Sequence, residues 1–443
     1  MFTAHGHGRG LRRGLAVGAA ATLVGSLVAG CSGGADSGGA VEISYLVPND
    51  ATGVESAERL ISAFEEAHPD IAVDLQTQPD GTEGDNLTKT KLATGEMEDV
   101  FVYNTGSLLQ ALNPDQTLTD LSDEEWVSHV SDDFLDTVRT DQGLYGAPTG
   151  SSFGGGILYN VPLYEELGLE VPETWDDFVA NSETIARERP DVTPVLQAYG
   201  ETWTAQMLIL AAHGSVAQED PGWAERFTAG EAKFAQEPAL AGFEHLQEVH
   251  DAGLLNEDFA SLTHDQALRQ LAEGGAAHYP MLTNAAPAIA QNNPDELDDV
   301  GFFALPAADA EHTAATIWQP GAVYIPSSTT GEELEAAKTL VEFITSSPEA
   351  CAIAQDTGVA TGPYVIDTCP LEDGVPRMVE DLQTYVDEDR AEPALEFVSP
   401  VKGPNLENIA IEVGSGIRSA ADGAAAYDED VRKQAQQLGL SGW

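Results

Sequence analysis

The sequence predicts a two-lobed α/β fold whose lobes are joined by chain crossings. Three observations carry that expectation. The chain has 443 residues, 42% of them apolar, and a single hydrophobic core stops growing at about 250–300 residues. Near its start, strand, helix and strand patterns follow one another, which is the βαβ unit of a parallel sheet. In mid-chain, the stretch from Gly143 to Asn160 strings Gly, Ser and Pro together before a short apolar strand, Ile157 to Tyr159. Its glycines open backbone conformations closed to other residues, and Pro148 fixes one φ angle. This stretch is read as the place where the chain leaves one lobe for the other, with a ligand seated beside it.

Taken in order, Val41 to Val47 alternates as a strand does. Val54, Ala57, Leu60, Ile61, Phe64 and Ala67 then recur at helical spacing, and His68-Pro69-Asp70 stops that helix. Ile71, Val73 and Leu75 alternate again. Leu87 to Met97 reads as a helix, and Asp99 to Asn104 as a strand apolar enough to be covered on both faces. Helices are expected near Ser107 and from Asp123 to Arg139. Beyond the crossing, Val161 to Leu169 is a short helix ended by Gly168. Thr174 to Phe178 has the capping spacing of a helix start. Further helices are expected over Trp203 to Ala212, Ala239 to Asp251 and Asp265 to Glu273, then strands at Ala276 to Met281, Val300 to Leu305 and Gly321 to Pro326. An amphipathic helix carries Leu334, Ala337, Leu340, Val341 and Ile344, and the tail from Val375 to Leu438 is mostly helical.

The first 30 residues read as a secretory leader. Arg9, Arg12 and Arg13 precede an uncharged run from Gly14 to Gly30, shorter than the ~20 apolar residues a membrane span needs. The run ends in Leu27-Val28-Ala29-Gly30-Cys31, which resembles the lipobox of bacterial lipoproteins. That resemblance implies cleavage before Cys31, its lipidation, and anchoring on the outer face of the cell membrane. Residues 31–40 then read as a flexible tether. Setting Cys31 aside leaves Cys351 and Cys369, an even pair in an oxidising compartment, which predicts a disulfide; the alternative is two buried thiols.

Charge narrows the partners. The chain carries 19 basic and 74 acidic residues, a formal charge of −55; 19 less the three leader arginines leaves 16 on the remainder. Nucleic acid and anionic membrane surfaces would be repelled. The acids are spread along the chain, as on a solvated surface adapted to salt, which screens charge within about 8 Å or less; an acidic cleft for a cation is the sharper alternative.

No catalytic motif survives its structural context. Gly150-Ser151-Ser152-Phe153-Gly154 matches G-x-S-x-G, but a loop precedes it and a strand follows, where a nucleophile elbow needs a strand and then a helix. His245 and His250 miss the metalloprotease spacings, and there is no P-loop or C-x-x-C. The chain is therefore expected not to be an enzyme and to need neither cofactor nor metal, with a secreted lipoprotein hydrolase as the rival class and a surface adhesion or signalling lipoprotein as a third.

Several stretches, in order, carry a family resemblance: Asp99-Val100-Phe101, the Gly143-to-Asn160 crossing, Val171 to Phe178, Leu271 to Ala277, Gly301 to Pro306 and Ala336 to Ile344. Together they resemble the extracellular solute-binding proteins (family 1, maltose-binding-like) of carbohydrate ABC transporters, in lipoprotein form. The resemblance implies a periplasmic-binding-protein-like fold with an interlobe ligand cleft and hinge crossings. Lobe one would hold 41–145 plus 304–352, and lobe two 146–303 plus 353–443. It further implies a sugar or short oligosaccharide as ligand, delivery to membrane permease subunits, and a monomer; a cationic solute or metal is the alternative ligand.

Sugars present apolar faces and hydroxyl-rich rims, so their sites pair flat rings with amides, carboxylates and hydroxyls. Trp318, beside Gln319, and Trp203 are the stacking candidates, each with core packing as its rival. Asn49-Asp50 and Tyr103-Asn104 end strands, where α/β ligands collect. Ser151, Ser152 and Phe153 line the crossing. Tyr279 to Asn284 is a stretch where the family often places a tryptophan; here Thr283-Asn284 stands instead, and Asn405 stands near another frequent aromatic position.

Overall fold

The computed structural model describes residues 40–443 except Asp50, Asp80, Gly358 and Glu372. The expected leader, Cys31, the tether up to Gly39 and the candidate Asp50 lie outside the described residues. Residues 40–443 form one compact unit built on two sheets, each with its own core. No helix among the described residues is long and apolar enough to cross a membrane.

In chain order the strands are β1 (Val41–Pro48), β2 (Ile71–Gln78), β3 (Val100–Tyr103), β4 (Gly146–Thr149), β5 (Phe153–Asn160) and β6 (Thr193–Val195). They are followed by β7 (Ala276–Leu282), β8 (Val300–Ala304), β9 (Ala315–Trp318), β10 (Gly321–Tyr324) and β11 (Ala391–Pro393). The first sheet runs β2-β1-β3-β10-β4, with β1 parallel to β2 and β3, and β10 antiparallel to β3 and β4. The second runs β11-β9-β5-β7-β6; β9 pairs with the first residues of β5 and β8 with the rest.

The expected βαβ opening is present. Helix Ala51–Ala67 buries Ala57, Ile61 and Phe64, and Phe64 meets the Phe343 ring edge-on at 5.5 Å. Burying such a ring contributes on the order of 2–3 kcal/mol. Gly168 ends helix Val161–Leu167 at φ 64°, and the Thr174 hydroxyl caps helix Trp175–Glu188 by accepting from Asp177 N.

Two expectations need revision. The continuous helix over Asp123 to Arg139 is a 3-10 turn, Glu125–His129, and a short helix, Asp132–Thr137. Between them Val130 bridges Ile366, and Ser131 N donates to Val365 O at 2.8 Å, so a distant segment captures the backbone as extended chain. Strand pairing also divides the chain differently from the expected limits. β4 belongs to the first sheet, whereas Ala304, Leu305, Ala315, Ile317 and Trp318 belong to the second core, and Ile366 and Cys369 to the first. Cys351 and Cys369 are joined in a disulfide, their Cα atoms 5.4 Å apart.

Candidate functional site

Three segments pass between the sheets side by side. Gly150 to Ser152 links β4 to β5, Gln319-Pro320 links β9 to β10, and Thr361 to Tyr364 runs beside the first. Ser152 N donates to Pro363 O at 2.8 Å, and the Ser151 and Thr361 hydroxyls are 2.9 Å apart. Gly150 has φ +84° and nothing near its missing side chain, so its role is conformational. Gly155 has a different role. A Cβ there would lie 2.4 Å from Trp318 Cζ3, so this glycine lets the indole rest directly on the β5 backbone.

At the second sheet's end of the crossings, Trp318 is 8% exposed. Phe153 is partly exposed and lies nearly parallel to it, 9° between planes and 6.3 Å between centroids. The indole Nε1 donates to Glu396 Oε1 at 2.5 Å, and Glu396 Oε2 accepts from Lys402 Nζ at 3.1 Å. The first sheet approaches the same place. A Cβ at Gly106 would lie 2.7 Å from Glu396 O and 2.8 Å from the Phe397 ring, so the loop after β3 touches the segment that holds Trp318.

The ends of β1, β2 and β3 surround a hollow of about 110 Å³, walled by Pro48, Gln78, Asp85, Tyr103, Asn104 and Gly321. Gln78 Oε1 and Tyr103 Oη, on two of its lining residues, are buried without a hydrogen-bond partner, as is Oγ1 of Thr105, next in sequence to Asn104. Burial, then the charge of the Asp85 carboxylate and a loose hydrogen-bonding approach to it, pushes the Tyr103 hydroxyl pKa up; that approach falls short of hydrogen-bond geometry, and the hydroxyl stays a neutral donor. Buried polar groups cost free energy unless paired, and these three atoms, at or next to the strand ends, are left open by the chain's own packing.

The remaining candidates divide. Asn49 and Asn104 are exposed at strand ends and Asn284 is exposed beyond β7. Trp203 is half-buried, edge-on to His264 at 5.0 Å. Four others are tied up internally. Tyr279 is fully buried, its hydroxyl 3.1 Å from His264 Nδ1. Thr283 is fully buried, accepts from Gly154 N and donates to Thr361 O. Ser152 is 4% exposed and donates to Pro363 O, while Ser151 is engaged with Thr361. These four hold the crossings and the second core together, each with its hydroxyl already bonded inside the chain, and Ser152 also borders the cleft that Gln319 lines; Ser152 has no histidine bonded to it as a nucleophile would. Gln319 faces away from Trp318. It lines, with Ile317, a larger cleft of about 820 Å³ on the opposite side of the crossings.

Sequence reasoning missed Gln78, Asp85, Thr105, Glu396 and Lys402. Gln78 and Thr105 stand at strand ends like the candidates that were found, so the same rule reaches them. Glu396 and Lys402 carry no linear signal, because only folding brings them to Trp318.

The family model for bacterial extracellular solute-binding proteins matches residues 50–350. The chain is similar to the multiple sugar-binding protein of Streptococcus mutans serotype c, 25% identical over 66% of this chain and 68% of that one. It is also similar to the melibiose/raffinose/stachyose-binding protein MelE of Bacillus subtilis, 23% identical over 70% and 71%. Among solved structures, a chitin oligosaccharide binding protein superposes with a TM-score of 0.73 at 20% identity, covering 90% of this chain and 99% of that one. RafE in complex with raffinose superposes with 0.70 at 20% identity, with the same coverage. At such identities the superpositions speak for the fold.

Proposed function

Because the chain belongs to the bacterial extracellular solute-binding proteins, we propose that it captures a sugar or short oligosaccharide outside the cell and passes it unchanged to an ABC permease. One observation supports this most directly. The Gln78, Tyr103 and Thr105 polar atoms that lack a partner stand at or beside strand ends of the first sheet, and the Phe153–Trp318 ring pair stands where the crossings enter the second. A pyranose needs that combination, an apolar ring face against an aromatic plane and hydroxyls that both donate and accept. The two relatives described above are named for sugar binding. The two lobes would close over the ligand about the crossings at 150–152, 319–320 and 361–364. The reading includes no catalysis, a monomer, and attachment to the outer face of the cell membrane through a lipidated Cys31, which mass spectrometry of the mature N-terminus would detect.

Isothermal titration with a panel of mono- and oligosaccharides tests it. Delivery requires release, so the expected dissociation constant is near micromolar, about −8 kcal/mol. Tyr103→Phe deletes only the unpaired hydroxyl and should weaken binding about tenfold. Silence across the panel defeats the sugar reading; full affinity in Tyr103→Phe removes the observation offered for it.

A further inference from the structure

We propose that the protein has a second ligand site, for a linear polyamine, in the large cleft behind the crossings. Side chains alternate along β9 and beyond it. Trp318 lies over Gly155, while Ile317 and Gln319 line the cleft of about 820 Å³ on the other side. This cleft is walled by residues on either side of the crossings, Ser131 and Asp133 from one and the end of helix Arg377–Asp387 with Asp389 from the other.

Its chemistry is one-sided. Asp133, Asp367, Asp387 and Asp389 line it, and among the described residues no lysine or arginine does. His129 is held by Asp367 at 2.9 Å, and the neighbouring Arg390 is turned to Glu388 and lies over the Tyr385 ring. Independently of the carboxylates, Gln319 is 7% exposed and its Oε1 has no hydrogen-bond partner. A buried carbonyl oxygen calls for a donor. Burial and Asp136, Asp132 and Asp389 raise the Asp133 pKa, and burial, Asp133 and Asp389 raise that of Glu392, so acids from both sides crowd one another. Val130, Ile366 and Val386 supply apolar wall between the acceptors. A chain of ammonium groups spaced by methylenes meets all three features: it donates to Gln319 Oε1, neutralises the carboxylates, and lays its methylenes on apolar wall. A simple metal ion fits less well, since no preformed cluster of three ligating side chains exists among the described residues.

The test is calorimetric titration of the intact chain with spermidine at low salt, with no sugar present, so that its outcome is separate from that of the sugar panel. One saturable site is expected, with tetramethylammonium, which has no N–H donor, binding at least tenfold more weakly. The double variant Asp133→Asn/Asp389→Asn should lose about tenfold or more in affinity, and Gln319→Leu should also weaken binding. Asp295→Asn/Asp298→Asn, exposed acids remote from the cleft in sequence and absent from its lining, should bind as the parent does. Circular dichroism melts establish that each variant is folded. Absence of saturable binding overturns the proposal, as does equal weakening in both double variants, which would mean diffuse attraction to a surface of charge −55.

Discussion

Gly155→Ala is the sharpest perturbation the geometry offers. The new methyl would lie 2.4 Å from Trp318 Cζ3 and 3.1 Å from Leu282 Cδ2, where carbon atoms at ease are about 3.5–4.0 Å apart. The indole must therefore shift by roughly 1 Å. It is not free to do so cheaply, because Nε1 is bonded to Glu396 at 2.5 Å and Phe153 lies parallel alongside. Overpacking of this kind costs about 1–3 kcal/mol, and loosening a hydrogen bond to a carboxylate adds to it, so a loss of about 2–4 kcal/mol is expected. Gly321→Ala is the matched control; its nearest atoms are Tyr103 O at 3.5 Å and Thr149 Cγ2 at 3.9 Å, so it should stay within about 0.5 kcal/mol of the parent. Denaturant unfolding followed by tryptophan fluorescence reads both, and the emission of the folded Gly155→Ala protein should shift as the indole leaves Glu396. If Gly155→Ala unfolds with the parent and its spectrum is unchanged, the packing of Trp318 on the β5 backbone is wrong as described.

Two further outcomes follow from other parts of the molecule. Opening the Cys351–Cys369 bridge, which spans 18 residues, by Cys351→Ser/Cys369→Ser should cost roughly 3 kcal/mol in the chain-entropy account; an unchanged denaturant midpoint would show the closed loop adds nothing. The pH response has a defined sign. Asp133 and Glu392 have pKa values raised above their ordinary ones, by burial first and then by neighbouring acids including Asp389, so the folded state binds protons more readily than the unfolded chain. Their penalty is full at neutral pH and disappears as pH falls through the raised values towards the ordinary ones near 4. Asp389→Asn should accordingly stabilise the fold at pH 7 and lose that advantage by about pH 4; an advantage that grows on acidification contradicts the assignment.

Long periodic segments were legible because each answers to a local rule. Helix Ala51–Ala67 presents Ala57, Ile61 and Phe64 on one face, and β1 and β2 run for eight residues each with alternation in part of their length. The strands that were missed, β4, β6, β9 and β11, have three or four residues each, too few for a period to register. Among candidate residues, the position of Tyr103 and Asn104 beside the strand-end hollow was legible because they close a buried strand. Tyr279 and Thr283 were misplaced because type and position in sequence do not say which side chain the fold has already paired.

Composition, the leader pattern, the βαβ opening, the glycine-rich crossing and the ordered family stretches were determined by the sequence alone, because each depends on residues near one another in the chain. Tertiary structure decided the rest. It set Trp318 on Gly155 and against Glu396, 78 residues away, left Gln78 Oε1 and the Tyr103 hydroxyl without a partner, and turned Gln319 into a cleft on the far side. The reason is physical: whether a polar atom has a partner, and which face of a crossing it looks from, depends on packing between segments far apart in the chain.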